Sequence, residues 1–66
     1  MTITVNGAEA PLADGTSVAA LVARLTAAER GVAVAVNGEV VPRSAWADTG
    51  LADGDRIEVL TAAQGG

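Results

Sequence analysis

The residues best suited to chemistry are the last two, Gly65 and Gly66. A diglycine ending in a free α-carboxylate can enter a narrow enzyme channel, because neither residue has a side chain to strike the walls. Glycine also reaches backbone angles closed to other residues, so the chain can bend sharply at the reacting carbon. Little else in the sequence competes. There is no cysteine and no histidine, which removes thiolate chemistry, the commonest metal ligand and the commonest general base. Ser17 and Ser44 have no histidine or lysine to activate them. Asp53 and Asp55 flank Gly54 in a surface turn, where burial cannot make one an acid and the other a base; turn formation accounts for them. The glycines of Asp14-Gly15 and Asn37-Gly38 lack the spacing of a phosphate-cradling loop. The chain is therefore expected to have no active site and no bound cofactor or metal of its own. Its chemistry would be done to Gly66 by other proteins.

Composition narrows the partners. Sixty-six residues make one small domain near the lower limit for folding without staples. Half of them are apolar, many alanine, and Trp46 is the only aromatic. That suffices for a two-layer core and is too little for an enclosed substrate cavity. A net charge of -4 argues against a nucleic-acid ligand and suits either plain solubility or a partner with a basic docking surface. All four basic residues are arginine, Arg24, Arg30, Arg43 and Arg56. A modifier that builds chains through its own lysines is thereby excluded. The start, Thr2 to Val5, lacks the basic residues and long apolar run of a secretory signal. The apolar run from Val18 to Ala23 is too short to span a bilayer. A cytoplasmic location and a free monomer are the default expectations.

The elements that must position the terminus follow from periodicity. Thr2 to Val5 alternates as a half-buried strand. Asn6-Gly7, a strong hairpin signal, turns it into a second strand over Ala8 to Leu12, and Pro11, which cannot donate to a ladder, places that strand at a sheet edge. Asp14-Gly15 leads to a helix capped by Ser17. Val18, Leu21, Val22 and Leu25 form one apolar stripe on it. The helix is expected to break near Thr26, in the segment before Gly31. Val32 to Val36 is a third strand with its valines assigned to the core and Ala33 and Ala35 to an open face, although a close-packed helix could reverse that choice. Asn37-Gly38 turns it into a fourth strand, Glu39 to Val41. Pro42 ends that strand, and Arg43 to Ala47 makes a single helical turn. There Trp46 anchors a crossover against the core. Leu51 is a second anchor, and Asp53-Gly54-Asp55 turns the chain into the last strand, Arg56 to Thr61. Ile57 and Val59 point inward; Glu58 and Leu60 point outward.

This ββαββ order describes an α+β domain with one main helix covering one face of a mixed sheet. If the first and last strands lie side by side in the centre, the strand order is 2-1-5-3-4, the β-grasp arrangement of ubiquitin. Residues 1–61 then form the domain and residues 62–66 a flexible tail. The five tail residues leave from the middle of the sheet and reach at most roughly 17 Å.

Within this frame the run Gly31 to Arg43, then Ser44, Trp46, Leu51, the DGD turn, Ile57-Glu58-Val59 and the ending Gln64-Gly65-Gly66 resemble the sulfur carrier proteins of thiamine biosynthesis. The DGTSV stretch leading into the helix, with Leu21 and Leu25, fits as well. The resemblance covers essentially the whole chain; Ala33 and Ala35 are minor departures from it. It implies a carrier cycle. A ubiquitin-activating-type adenylyltransferase would join the Gly66 carboxylate to AMP, using the ATP and Mg that belong to that partner. A persulfide from a cysteine desulfurase or rhodanese-type donor would displace the AMP and leave a thiocarboxylate, and a thiazole synthase would take up the sulfur. Gly65 and Gln64 would thread the tail into the activating channel, and Leu60, on the open face beside the tail, is a candidate docking contact. The alternatives are the small subunit of molybdopterin synthase, a ubiquitin-like protein modifier joined to lysines of other proteins, and a passive β-grasp adaptor.

Overall fold

A computed structural model of the chain describes residues 1–27 and 30–62. Four of its five strands have the extents read from the sequence: β1 (Thr2–Val5), β3 (Val32–Val36), β4 (Glu39–Val41) and β5 (Arg56–Thr61). β2 (Ala8–Pro11) stops one residue short of the expected end. Leu12 instead turns inward and is buried, with its N–H donating to the Met1 carbonyl at 2.8 Å. The sheet order is β2-β1-β5-β3-β4. β1 and β5 are parallel, and every other neighbouring pair is antiparallel. β5 is therefore the central strand, and β2, with Pro11, is an edge.

The single α-helix among the described residues, α1 (Val18–Leu25), begins where Ser17 Oγ accepts the Ala20 N–H at 3.1 Å. This satisfies one of the donors that a helix start leaves unpaired. The helix stops at Leu25, and Thr26 caps it in an extended conformation. The expected break near Thr26 is thus present, and Ala28 and Glu29 lie outside the described residues. The apolar stripe of α1 is not buried along its whole length. Val18, Leu21 and Val22 are buried, but Leu25 is 49% exposed. It occupies the last helical position and lines the groove between α1 and edge strand β2.

Under the helix, Ile3, Val34, Ile57 and Val59 form the buried floor of the sheet. The valines of β3 do face the core: Val34 is fully buried, with Val32 and Val36 packed against the cluster from the side. A 3-10 helix over Arg43–Asp48 carries the crossover. Within it Trp46 is buried, and its indole N–H donates to the Val41 carbonyl at 2.9 Å. The crossover then ties to the helix start, with Val18 N–H donating to Thr49 O at 2.9 Å and Leu51 N–H to Thr16 O at 3.0 Å.

Candidate functional site

The candidate site has two parts, the end of β5 and the open face of the sheet around it. Gln64, Gly65 and Gly66 lie outside the described residues, so the structure defines the mount on which they are carried. On the β3 side that mount holds to the end of the strand and one residue beyond. Thr61 pairs with Val32, and the Ala62 N–H donates to Gly31 O at 2.6 Å. Four residues follow Ala62 in the sequence, a contour of at most roughly 14 Å.

On the opposite side of β5 the mount is made by a residue whose role was not read from the sequence. Asn6 sits at φ 49° and Gly7 at φ 85°, the paired positive angles of a type I′ hairpin turn. The turn carries the backbone away into β2, but the Asn6 side chain stays with β5. Its Nδ2 donates to Val59 O at 3.0 Å, and its Oδ1 accepts the Val59 N–H at 2.9 Å. The second Asn-Gly turn repeats the device at the other end of the strand. Asn37, at φ 52°, donates its backbone N–H to Arg56 O at 2.7 Å and accepts the Arg56 N–H on Oδ1 at 2.9 Å. Asparagine suits both positions because it tolerates positive φ and carries a donor and an acceptor together. The signal available in the sequence was the repetition of Asn-Gly after β1 and β3, the two strands that flank β5.

The acidic turn before β5 is structural, as expected. Asp53 Oδ1 accepts the Thr2 N–H at 2.6 Å. Asp55 accepts from Ala52 N–H at 2.8 Å and from Asn37 Nδ2 at 3.0 Å. Both carboxylates thus fasten the turn to its neighbours. Among the described residues no three His, Cys, Asp or Glu side chains cluster as a metal site, and no helix is long and apolar enough to cross a membrane.

The open face changes character along β5. Arg56, Glu58 and Leu60 point outward in turn, and Leu60, nearest the tail, is 68% exposed. Ala33 lies opposite Leu60, and Ala35 lies between Glu58 and Val40, which is 76% exposed. Leu60, Ala33, Ala35 and Val40 line one shallow depression with Glu58 on it. The small alanines keep this patch low, so a partner side chain could lie across β3 between Leu60 and Val40.

A five-stranded mixed sheet of order β2-β1-β5-β3-β4 beneath one helix is the β-grasp, the fold of ubiquitin-like proteins. Residues 3–66 match the ThiS family, and the chain belongs to that family. The crystal structure of a thiamine biosynthesis protein (ThiS) from Geobacter metallireducens is similar to it, with 38% identity, all of both chains covered and a TM-score of 0.81. An NMR solution structure of a thiamine biosynthesis protein from the same organism gives 38% identity and a TM-score of 0.83, covering all of this chain and 88% of the other. A thiazole synthase of Paramagnetospirillum magneticum is 36% identical over 66 residues. That match takes in the whole of this chain but only 20% of the synthase, so the chain spans about a fifth of that relative's length.

Proposed function

We propose that the protein is the sulfur carrier for the thiazole part of thiamine, with Gly66 as the group carried. Membership of the ThiS family carries this reading. The thiazole synthase relative supports the choice of sulfur acceptor, because one polypeptide there joins that name to a stretch alignable with this entire chain.

The chemistry follows from the carboxylate. Ionised at neutral pH, it resists nucleophiles until one oxygen becomes a leaving group. A ubiquitin-activating-type adenylyltransferase with MgATP would transfer AMP to a Gly66 oxygen and release pyrophosphate. The terminal sulfur of a persulfide, raised on a cysteine desulfurase or rhodanese-type donor, would attack the acyl carbon and expel AMP. A thiol would then reduce the resulting S–S bond, leaving a thiocarboxylate on Gly66 and a disulfide on the donor side. Thiazole synthase would draw its sulfur from that thiocarboxylate. Covalent carriage replaces capture of free sulfide by a docked delivery. Gly65 and Gln64 would occupy the activating channel, and the Leu60 patch would dock on the partner. The carrier works in the cytoplasm as a monomer.

The test is incubation with the adenylyltransferase, MgATP and a persulfide donor, followed by intact mass. Exchange of one oxygen for sulfur supports the carrier reading; conjugation to another protein, or no change, contradicts it.

A further inference from the structure

β1 leaves the sheet before β5 has finished. The two strands share only the pairs Thr4 with Arg56 and Val5 with Ile57, whereas β5 runs on to Thr61. Beyond Ile57, the backbone groups of β5 that point toward β1 have no strand to meet, and those of Val59 come first. The Asn6 carboxamide meets both of them, in a part-buried setting. Together with the Asn6 backbone N–H, which donates to Ile57 O at 2.9 Å, the contacts continue a parallel ladder with a side-chain amide in place of the next peptide. The Asn37 carboxamide acts instead at Arg56, the first residue of β5 and the one farthest from the tail, where its Oδ1 accepts the N–H and its Nδ2 donates to Asp55.

We propose that Asn6 is a positioning residue for the C-terminal acyl group. By holding Val59, it fixes the end of β5 from which the C-terminal residues continue, while the carboxamide of Asn37, at the start of that strand, serves the fold alone. The proposal rests on the carrier reading above. Without the Asn6 carboxamide, the end of β5 is held, among the described residues, from the β3 side only and can swing about those bonds. Docking through the β3–β4 side of the open face persists, but fewer docked carriers present the carboxylate in reactive geometry. The loss then falls on kcat more than on KM.

Asn6→Gly and Asn37→Gly form a matched pair, since glycine keeps the positive φ and removes only the carboxamide. Each full-length variant is assayed by ATP–pyrophosphate exchange with a ubiquitin-activating-type adenylyltransferase, alongside thermal melting and NMR amide exchange. Asn6→Gly is expected to lose about ten-fold in amide protection at Val59 and about ten-fold in kcat, with KM within about two-fold. Asn37→Gly is expected to melt at a similarly lowered temperature yet keep the wild-type kcat. Should Asn6→Gly not fold, Asn6→Asp takes its place; it keeps the acceptor for Val59 N–H, drops the donor, and is expected to show a kcat below wild type. Wild-type kcat in the folded Asn6 variant, or an equal fall in Asn37→Gly, overturns the positioning role alone. A wild-type protein that supports no exchange overturns the carrier reading itself, and the proposal with it.

Discussion

Leu60 of β5 stands directly across the open face from Ala33 of β3, and the alanine leaves its isobutyl group uncovered at 68% exposure. A larger residue at position 33 would shield Leu60; alanine presents it. Leu60 therefore contributes little to the fold, as the docking role proposed for it requires.

Leu60→Asp separates these roles. Stability is expected to stay within about 0.5 kcal/mol of wild type, as for other surface changes. Weakened docking of about 1–2 kcal/mol would raise KM for the adenylyltransferase roughly ten-fold. Urea unfolding and steady-state pyrophosphate exchange check the two halves; a destabilised protein or an unchanged KM would remove Leu60 from the docking face.

Trp46 is the opposite case, 6% exposed and bonded to the Val41 carbonyl, with the Arg43 guanidinium 5.2 Å from its ring centroid. Trp46→Ala is expected to cost about 3–5 kcal/mol, comparable to the whole reserve of about 3–5 kcal/mol that such a small core supplies. The variant should be largely unfolded at 25 °C by far-UV circular dichroism. Trp46→Phe keeps most of the apolar volume, removes the indole bond to Val41 O and should lose about 0.5–1.5 kcal/mol.

Ser17 caps α1 through Ala20. Ser17→Ala is expected to lower stability by about 0.5–2 kcal/mol. For a domain of this size each kcal/mol shifts Tm by about 4–8 °C. Thermal melting measures it, and an unchanged Tm would mean that the cap is idle.

Much of this architecture is visible in local chemistry. Asn6-Gly7 and Asn37-Gly38 mark both hairpins because few other pairs accept two positive φ angles in succession, and Ser17 marks the helix start because its hydroxyl can reach a free N–H. The alternation of β3 separates a valine face from an alanine face, but which of them meets the helix is decided by the packing, where Val34 is buried. The exposure of Leu25 was not legible, because periodicity gives the direction of a side chain and not the extent of the surface waiting beneath it. The roles of the Asn6 and Asn37 carboxamides were out of reach for a different reason. Each depends on a strand far along the chain, with Asn6 bonding Val59 and Asn37 bonding Arg56, and local pattern carries no such information. The chemistry assigned to Gly66 comes from residue type and family, since Gln64, Gly65 and Gly66 lie outside the described residues.

Gly66→Ala probes that end without touching the core, whose last member is Val59. A β-carbon beside the reacting carboxylate should obstruct the activating channel and lower the rate of adenylation by at least about ten-fold, with the melting temperature unchanged. An alanine variant adenylated at the normal rate would contradict the role given to a bare glycine.

The most direct measurement is the intact mass of the wild-type chain after reaction with adenylyltransferase, MgATP and a persulfide donor, followed by fragmentation to locate the change. One oxygen replaced by sulfur at the Gly66 carboxyl group is the expected result, with loss of that sulfur when thiazole synthase and its remaining substrates are added. An unmodified terminus, or sulfur placed anywhere else in the chain, would contradict it.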